Sequence, residues 1–464
     1  MGLYDTILAN LPEVAGPSQK RLSFSEKLKW TIITLVLFFV LGLIPLFGLG
    51  QNALQRFEFL SIILGASFGS IISLGIGPLV TSSIVLQLLN GAGIIKFDLT
   101  TSEGKRRFQG TQKLLSVFFI VFEAAIYVFM SGLAPDPALL AVPGLYRQLE
   151  LLLVFQLFCG GILIMFMDEV ISKWGFGSGI SLFIAAGVSQ SVFIRAFSPL
   201  PSPTNPAIAT GAIPALVQSL GAGDPQTALL EFAAVAATVI IFVIAVYIQA
   251  MKVEIPLSFG RVRGHGIRWP LHFVYTSNIP VILVAALMAN IQLWAQLMQN
   301  WGFPLLGTFS GGSPTSGLVA WLTPPPVVGN AIRGSLQLSD VGIAAVYLFV
   351  LVVGAVIFSW FWVQTAGMDA RSQAKQIMAS GLQIPGFRRD ERVLERLLDR
   401  YIGPLTVMGA ITVGIIAGLA DVSGALTNGT GLLLTVMIIY KLYEDIARQH
   451  LMDMNPMMRK FMGG

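Results

Sequence analysis

Apolar residues along this chain do not alternate singly with polar ones. They gather into long runs of about 17–25 residues, the length a helix needs to cross the hydrocarbon core of a bilayer. Ten such runs stand out: Trp30–Leu49, Ile71–Leu89, Leu114–Met130, Leu149–Met167, Phe176–Phe193, Leu229–Met251, Phe273–Leu297, Val341–Val363, Leu405–Ala420 and Gly424–Tyr443. In lipid each is expected to be a helix, because only a helix satisfies its own backbone groups without water. The ninth run is short, and the tenth opens on the breaker-rich stretch Gly424–Gly431. The pattern predicts an all-α membrane protein of ten spans.

Several segments depart from this rhythm. Phe57–Phe68 is apolar but only about 12 residues long, too short to cross. It passes through Gly65, Ala66, Ser67, Gly69 and Ser70 into the second span. A short apolar piece and a flexible junction describe a re-entrant helix, which requires a cavity inside the bundle. A helix lying in the outer interface fits the same hydropathy. The second span carries Gly75, Gly77 and Pro78, which would weaken an isolated helix. Its polar residues Thr81, Ser82, Ser83 and Gln87 are expected to face protein or water. Ile76 and Val80, and in the fifth span Ile180 and Ile184, are spaced i, i+4 and so share a face. Taken alone, that spacing is ordinary packing more often than a pore lining.

Two connections are unusual. In Lys252–Pro270, alternation at Val253, Ile255 and Leu257 flanks a glycine-rich basic tip and predicts a hairpin. Gln364–Gly403 is long for a bundle connection and reads as two short helices. Asp369 caps the first, with Gly381 at its end. The second runs from about Asp390 to Tyr401, with Val393, Leu394, Leu397 and Leu398 on one face. Between them lies the basic stretch Ile384–Arg389.

Composition agrees with a membrane protein. Of 464 residues, 55% are hydrophobic and 11% charged, against about 25% charged in soluble domains. The net charge of +5 matters less than its placement. With both termini cytoplasmic, the outer loops hold only Arg56, Arg147, Arg195 and Arg333 of the 29 Lys and Arg. Basic residues collect on the cytoplasmic side of short loops, so this orientation is the expected one. The first apolar run is too long for a signal-peptide core and lacks a clear cleavage site. It reads as an uncleaved first span. The basic loop tips suit an anionic partner, and anchoring of topology by positive charge explains them equally.

Chemistry is sparse. The single Cys159 cannot form an internal disulfide. The three histidines are scattered, and no cluster has metal-ligand spacing, so no metal and no cofactor are expected. Neither a Walker A motif nor a nucleophile elbow occurs, and no catalytic residue is expected. Glu123 is nearly the only ionisable residue inside a span, whereas ion-coupled transporters usually carry charge at mid-membrane. A secondary transporter built on inverted repeats is the alternative class, and the scarcity of buried charge counts against it.

The run Gly75–Leu89 closely resembles one signature of the SecY family, and Asp168–Leu182 resembles the other. Phe24–Trp30 and Tyr275–Leu283 are similar to the archaeal and eukaryotic branch, the archaeal most of all. The resemblance extends from about Leu11 to Tyr443. It implies a protein-conducting channel, not an enzyme: two inverted halves of five helices around a central pore, with sideways release of apolar segments into lipid. It divides the chain into a cytoplasmic segment 1–29, a first half 30–195, an external loop 196–228, a second half 229–443 with cytoplasmic loops 252–270 and 364–403, and a tail 444–464. It implies a constriction ring of Ile76, Val80, Ile180, Ile184, Ile282 and Leu434. It implies a plug over 57–68, with Phe57, Leu60, Ile63, Leu64 and Phe68, and a lateral gate with Thr81, Gln87 and Asn278. Arg261, Arg263, Arg388 and Arg389 match tips that meet the ribosome. The implied partners are small subunits of the SecE and SecG or Sec-beta types, the ribosome, translocating polypeptides and their signal sequences, and membrane lipid, with no small-molecule substrate. The implied location is an archaeal plasma membrane. The Met-rich tail Met452–Met462 matches nothing in the family pattern.

Overall fold

Hydropathy marks where helices cross; local chemistry decides where they start and stop. The structure is a computed structural model. It describes residues 10–19, 22–50, 69–91, 94, 95, 97, 101–129, 132–136, 138, 143–201, 208–259, 266–276, 279–300, 302–310, 313–379, 382–383 and 390–454. They form two compact units, one from Met1–Ser191 with Ile438–Gly464, the other from Val192–Met437.

The first unit contains α1 (Phe24–Gly42), α2 (Gly77–Gly91), α3 (Ser102–Phe129), α4 (Pro143–Trp174) and the first two thirds of α5 (Gly179–Phe197), which ends in the second. Ser23 caps α1 by accepting from Glu26 N at 3.3 Å, which satisfies one of the orphan donors of the first turn. The second span is not helical from Ile71, as its hydropathy predicts. Residues 71–76 form turns, and the helix begins at Gly77. Gly75 adopts φ +56°, a left-handed conformation that glycine tolerates, and Pro78 sits in the first turn, where its missing N–H is not needed. The irregular stretch is buried: Ile72, Ser73 and Leu74 are at most 1% exposed. It lies against Gly160 of α4, where an added Cβ would meet the Ile71 carbonyl oxygen at 1.8 Å. Non-helical backbone at membrane depth survives when protein covers it.

The second unit contains α6 (Ala212–Ala222), α7 (Pro225–Ala250), α8 (Ile279–Asn300), the short α9 (Leu318–Trp321) and α10 (Val327–Ile332), α11 (Leu338–Thr365), α12 (Ala370–Ala379) and α13 (Glu391–Ser423). The last helix, α14 (Gly429–Met454), begins in this unit and ends in the first. The predicted hairpin is present as β1 (Lys252–Phe259) and β2 (Gly266–His272), paired antiparallel from Lys252↔His272 to Ser258↔Gly266. A two-residue strand, β5 (Leu382–Gln383), adds to β1 through Ser258↔Gln383 and Phe259↔Leu382. A second small hairpin joins β3 (Thr308–Ser310) to β4 (Ser313–Ser316).

Three sequence expectations change here. The seventh span begins at Ile279, because residues 273–276 form a bend and turn. The tenth begins at Gly429, because Gly424 ends α13 in the left-handed conformation, φ +71°. The short helix expected over Asp390–Tyr401 is the first third of α13 and runs on through Pro404 into the ninth span. Packing on both sides holds that junction. Leu394, Leu398, Ile402 and Leu405 pack with Ile255, Leu271 and Ile377, and Ala410, Val413, Ile416 and Ala417 pack with Val284, Leu351 and Met437. The start of the first short helix stands as expected: Asp369 accepts from Ser372 N at 3.2 Å and caps α12, whereas Gly381 lies outside the described residues. Among the described residues, seven helices are long and apolar enough to cross a membrane by length and composition. Of the three shorter or more charged ones, α1, α2 and α14 occupy the first, second and tenth predicted spans.

Candidate functional site

In the first unit, α2 and α5 carry four of the six aliphatic residues singled out in sequence. Ile76 precedes the first turn of α2, and its carbonyl accepts from Val80 N at 3.0 Å, so the two lie one turn apart. Ile180 and Ile184 lie one turn apart at the start of α5. Ile76 is 4% and Ile184 7% exposed, and Val80 and Ile180 are half-buried. Farther along α5, beyond the first unit, Phe193 is 66% exposed. In the second unit Ile282 of α8 is half-buried and Leu434 of α14 is 7% exposed, while Leu287 and Trp294 of α8 face outward.

The turn between α4 and α5 sets the position of Ile180. Asp168, in the last turns of α4, accepts from Ile180 N at 2.9 Å. A helix start presents unsatisfied donors and a positive dipole end, so a carboxylate there is stabilising. Gly179 permits the approach, because a Cβ at that position would lie 2.6 Å from Asp168 Cα. Phe176 N donates to Thr31 Oγ1 at 3.1 Å, and Phe38 stacks on Phe183 with centroids 4.7 Å apart. These contacts tie α1 to the same turn.

The N-terminal segment straps across these helix ends. Val14 N donates to Glu169 at 2.9 Å, Lys173 Nζ to the Val14 carbonyl at 2.6 Å, and Trp174 Nε1 to the Ala15 carbonyl at 2.9 Å. Lys113 pairs with Glu169, and Lys173 with Glu13. The hydrogen bond and charge of Lys173 hold the Glu13 carboxyl below its ordinary value. Beneath the strap is a cavity of about 510 Å³, lined by Leu79, Ser116, Met165 and Ile180 among apolar and small groups and by Arg106 and Lys173 among charged ones. It brings α2 and the ring end of α5 to one space inside this unit.

Polar groups within the spans meet protein, as their composition predicts. Ser82 is fully buried and shares a hydrogen bond with Ser116 of α3 at 2.6 Å. Thr81 donates to the Gly77 carbonyl at 2.9 Å and lies 3.4 Å from the Glu123 carboxylate. Gln87 donates to Ser83 one turn back, at 3.2 Å. Glu123 stands out in sequence as an interior charge but is assigned no role there; the structure makes it the partner of Thr81. Asp421 carries no signal in the hydropathy pattern, because it lies just past the end of the apolar run. Its two oxygens accept from Tyr347 Oη at 2.8 Å and Gly429 N at 2.7 Å, which fixes where α14 begins. Such partners, far apart in sequence, leave no local signal.

The approach to α8 is also anchored. Tyr275 Oη donates to the Met368 carbonyl at 2.7 Å, and burial, with Asp369 nearby, pushes its hydroxyl up to about 12. Thr276 and Ser359 share a buried hydrogen bond at 2.8 Å. Asn278 lies outside the described residues. So do the plug residues Phe57, Leu60, Ile63, Leu64 and Phe68, and the basic residues Arg261, Arg263, Arg388 and Arg389. The strands that flank those basic stretches are nonetheless neighbours. β5 pairs with the end of β1 through Ser258↔Gln383 and Phe259↔Leu382. Among the described residues no group of His, Cys, Asp or Glu could hold a metal ion.

Comparison with known proteins bears on this arrangement. A profile described as SecY matches residues 70–443. The protein translocase subunit SecY of Methanothermobacter thermautotrophicus is 44% identical over 465 residues, which cover 99% of this chain and 98% of the relative. A solved structure of a protein-conducting channel superimposes with a TM-score of 0.81 at 40% identity, covering 97% of this chain and 98% of that one. Sec61 in a canine ribosome-channel complex from the endoplasmic reticulum superimposes with a TM-score of 0.78 at 39% identity, with the same coverage.

Proposed function

This chain belongs to the SecY family, and from that premise we propose that it is the pore-forming subunit of a channel that conducts secretory polypeptides across a cell membrane and releases apolar segments sideways into lipid. The observation that supports the pore is the burial of the six branched aliphatic residues. None of Ile76, Val80, Ile180, Ile184, Ile282 and Leu434 is exposed, although many other aliphatic and aromatic residues of the spans are. A ring of such side chains resists ions by dewetting when empty. It yields to an extended peptide of any sequence because it offers no fixed hydrogen bonds.

The remaining parts follow from the same reading. Residues 57–68 close the resting pore. Thr81 with Glu123 and Gln87, and Asn278 on the approach to α8, line the sideways exit. An emerging segment partitions into lipid when its apolar residues, each worth a few tenths of a kcal/mol, outweigh central charges that oppose insertion by about 2.5–3.5 kcal/mol. Both termini are cytoplasmic, by the distribution of Lys and Arg. Arg261, Arg263, Arg388 and Arg389 meet ribosomal RNA, whose phosphates attract basic tips in a salt-dependent way. Small membrane subunits of the SecE and Sec-beta kinds complete the complex, which carries out no catalysis of its own.

The test is ion leak in proteoliposomes that contain the purified complex. Ile76→Ser and Ile282→Ser are expected to raise resting permeability above that of the parent, whereas Phe193→Ser, at an exposed position, is not. Vesicles as tight as the parent with both ring variants would remove the constriction from the proposal. Charge reversal at Arg261 and Arg388 supplies a separate test, read as ribosome co-sedimentation across a salt series.

A further inference from the structure

We propose that α6 is an interfacial anchor whose outward face is sunk among lipid acyl chains at the membrane surface where α7 begins. The helix spans 11 residues, about 16 Å at 1.5 Å per residue, roughly half of what a crossing requires. It packs along α7, and only Gly223 and Asp224 separate the two. Gly223 ends α6 in the left-handed conformation, φ 75°, and Asp224 caps α7 by accepting from Gln226 N and Thr227 N at 3.2 Å. The pair is therefore a tight helical hairpin set at the end of a membrane span.

The helix is built inside out relative to one in water. Its buried positions are small: Ala212, Ala215 and Ser219, each at most 2% exposed. Its exposed stripe is large and aliphatic: Ile213, Val217 and Leu220, at 39%, 64% and 62%. These three fall at i, i+4 and i+7, one face of a helix. Small residues toward protein and large aliphatic ones outward is the pattern of helices packed in lipid.

Charge points the same way. The stretch from Ala196 to Gly223 contains no Asp, Glu, Lys, Arg or His. At the usual content of soluble domains, a stretch of that length would carry about seven charged residues. A protein partner would call for a polar rim around the apolar stripe, and this stretch supplies no charged residue for one. Leu229 and Phe232, 52% and 59% exposed, open the lipid-facing surface of α7 within two turns of the hairpin. The stripe continues that surface into the interface, where amphipathic helices bury their apolar face about 5–10 Å deep.

The experiment uses the full chain in its complex, reconstituted into phosphatidylcholine–phosphatidylglycerol vesicles, with Cys159→Ala as background. Spin labels are placed by Val217→Cys and Leu220→Cys on the stripe and by Ala222→Cys half a turn away from it. Power saturation then compares oxygen, which concentrates in acyl chains, with a water-soluble nickel chelate. Labels at 217 and 220 are expected to favour oxygen several-fold over nickel, and the label at 222 to show the reverse. Nickel access at 217 and 220 equal to that at 222 would mean a water-exposed face and overturn the proposal. Protection of 217 and 220 from both reagents would mean a covering protein and overturn it equally.

Discussion

Asp168→Ala is the substitution whose effect the structure specifies most fully. The wild-type carboxylate accepts from Ile180 N at 2.9 Å, at the start of the helix that carries two of the proposed ring residues. Removing it leaves a donor beside buried Gly179 with no side-chain acceptor. An orphaned buried donor costs about 1–3 kcal/mol. A net loss near 2 kcal/mol lowers the folded-to-unfolded ratio about 30-fold. Asp168→Asn keeps a carbonyl acceptor in the same place and is expected to recover roughly half of that. Two readouts separate stability from positioning: denaturant unfolding in detergent micelles followed by circular dichroism, and ion leak in proteoliposomes. The alanine variant is expected to unfold at lower denaturant and to leak, with asparagine intermediate in both. An unchanged midpoint for Asp168→Ala would refute the energetic argument. A lowered midpoint with tight vesicles would refute the link from this bond to the ring.

Two further predictions rest on separate features. Gly160→Ala drives a methyl group to 1.8 Å from the Ile71 carbonyl oxygen, so α4 and the 71–76 segment must part, at about 1–3 kcal/mol by the usual penalty for overpacking. Gly342→Ala on α11, where an added Cβ meets nothing within 4 Å, is the control, and equal unfolding midpoints for the two would refute the close approach. Glu13 titrates below its ordinary value of about 4.5 because of Lys173, so its contribution is complete above that value and disappears as pH falls through the lower folded value. Because Glu13 is mostly exposed, the effect stays under about 1 kcal/mol. Hydrogen exchange at Val14, corrected for its intrinsic rate, is expected to quicken toward acid more steeply in the parent than in Glu13→Gln, where only its acceptor Glu169 still titrates; the same profile in both would discard the tie.

The spans were legible because hydrocarbon imposes one long, simple requirement. Their ends were not, because ends are decided by single contacts. Gly75 and Pro78 were visible as a weak point, but read as strain within one helix rather than as the place where a helix starts. The hydropathy pattern ends a connection at Gly403 and opens a span at Leu405, yet α13 passes through Pro404 between them because the segments on either side are both packed. Two residues, Leu382 and Gln383, cannot show alternation, so the third strand had no signature. The aliphatic pairs Ile76/Val80 and Ile180/Ile184 were readable as shared faces. Their support lay in Asp168, Gly179 and Thr31, which only a folded chain brings to the same turn. The strap over residues 12–15 was likewise hidden, since Glu13, Lys113, Glu169 and Lys173 are scattered through the sequence.

The unbroken course of α13 has a mechanical consequence. At 33 residues it is about 50 Å long, against a hydrocarbon thickness of about 30 Å. Its polar third is clamped to the three-stranded sheet through Leu394, Leu398 and Ile402, and its apolar two thirds to the membrane core through Val413 and Ala417. A push or twist applied to that sheet would therefore travel down one helix into the bundle rather than dissipate in a slack linker.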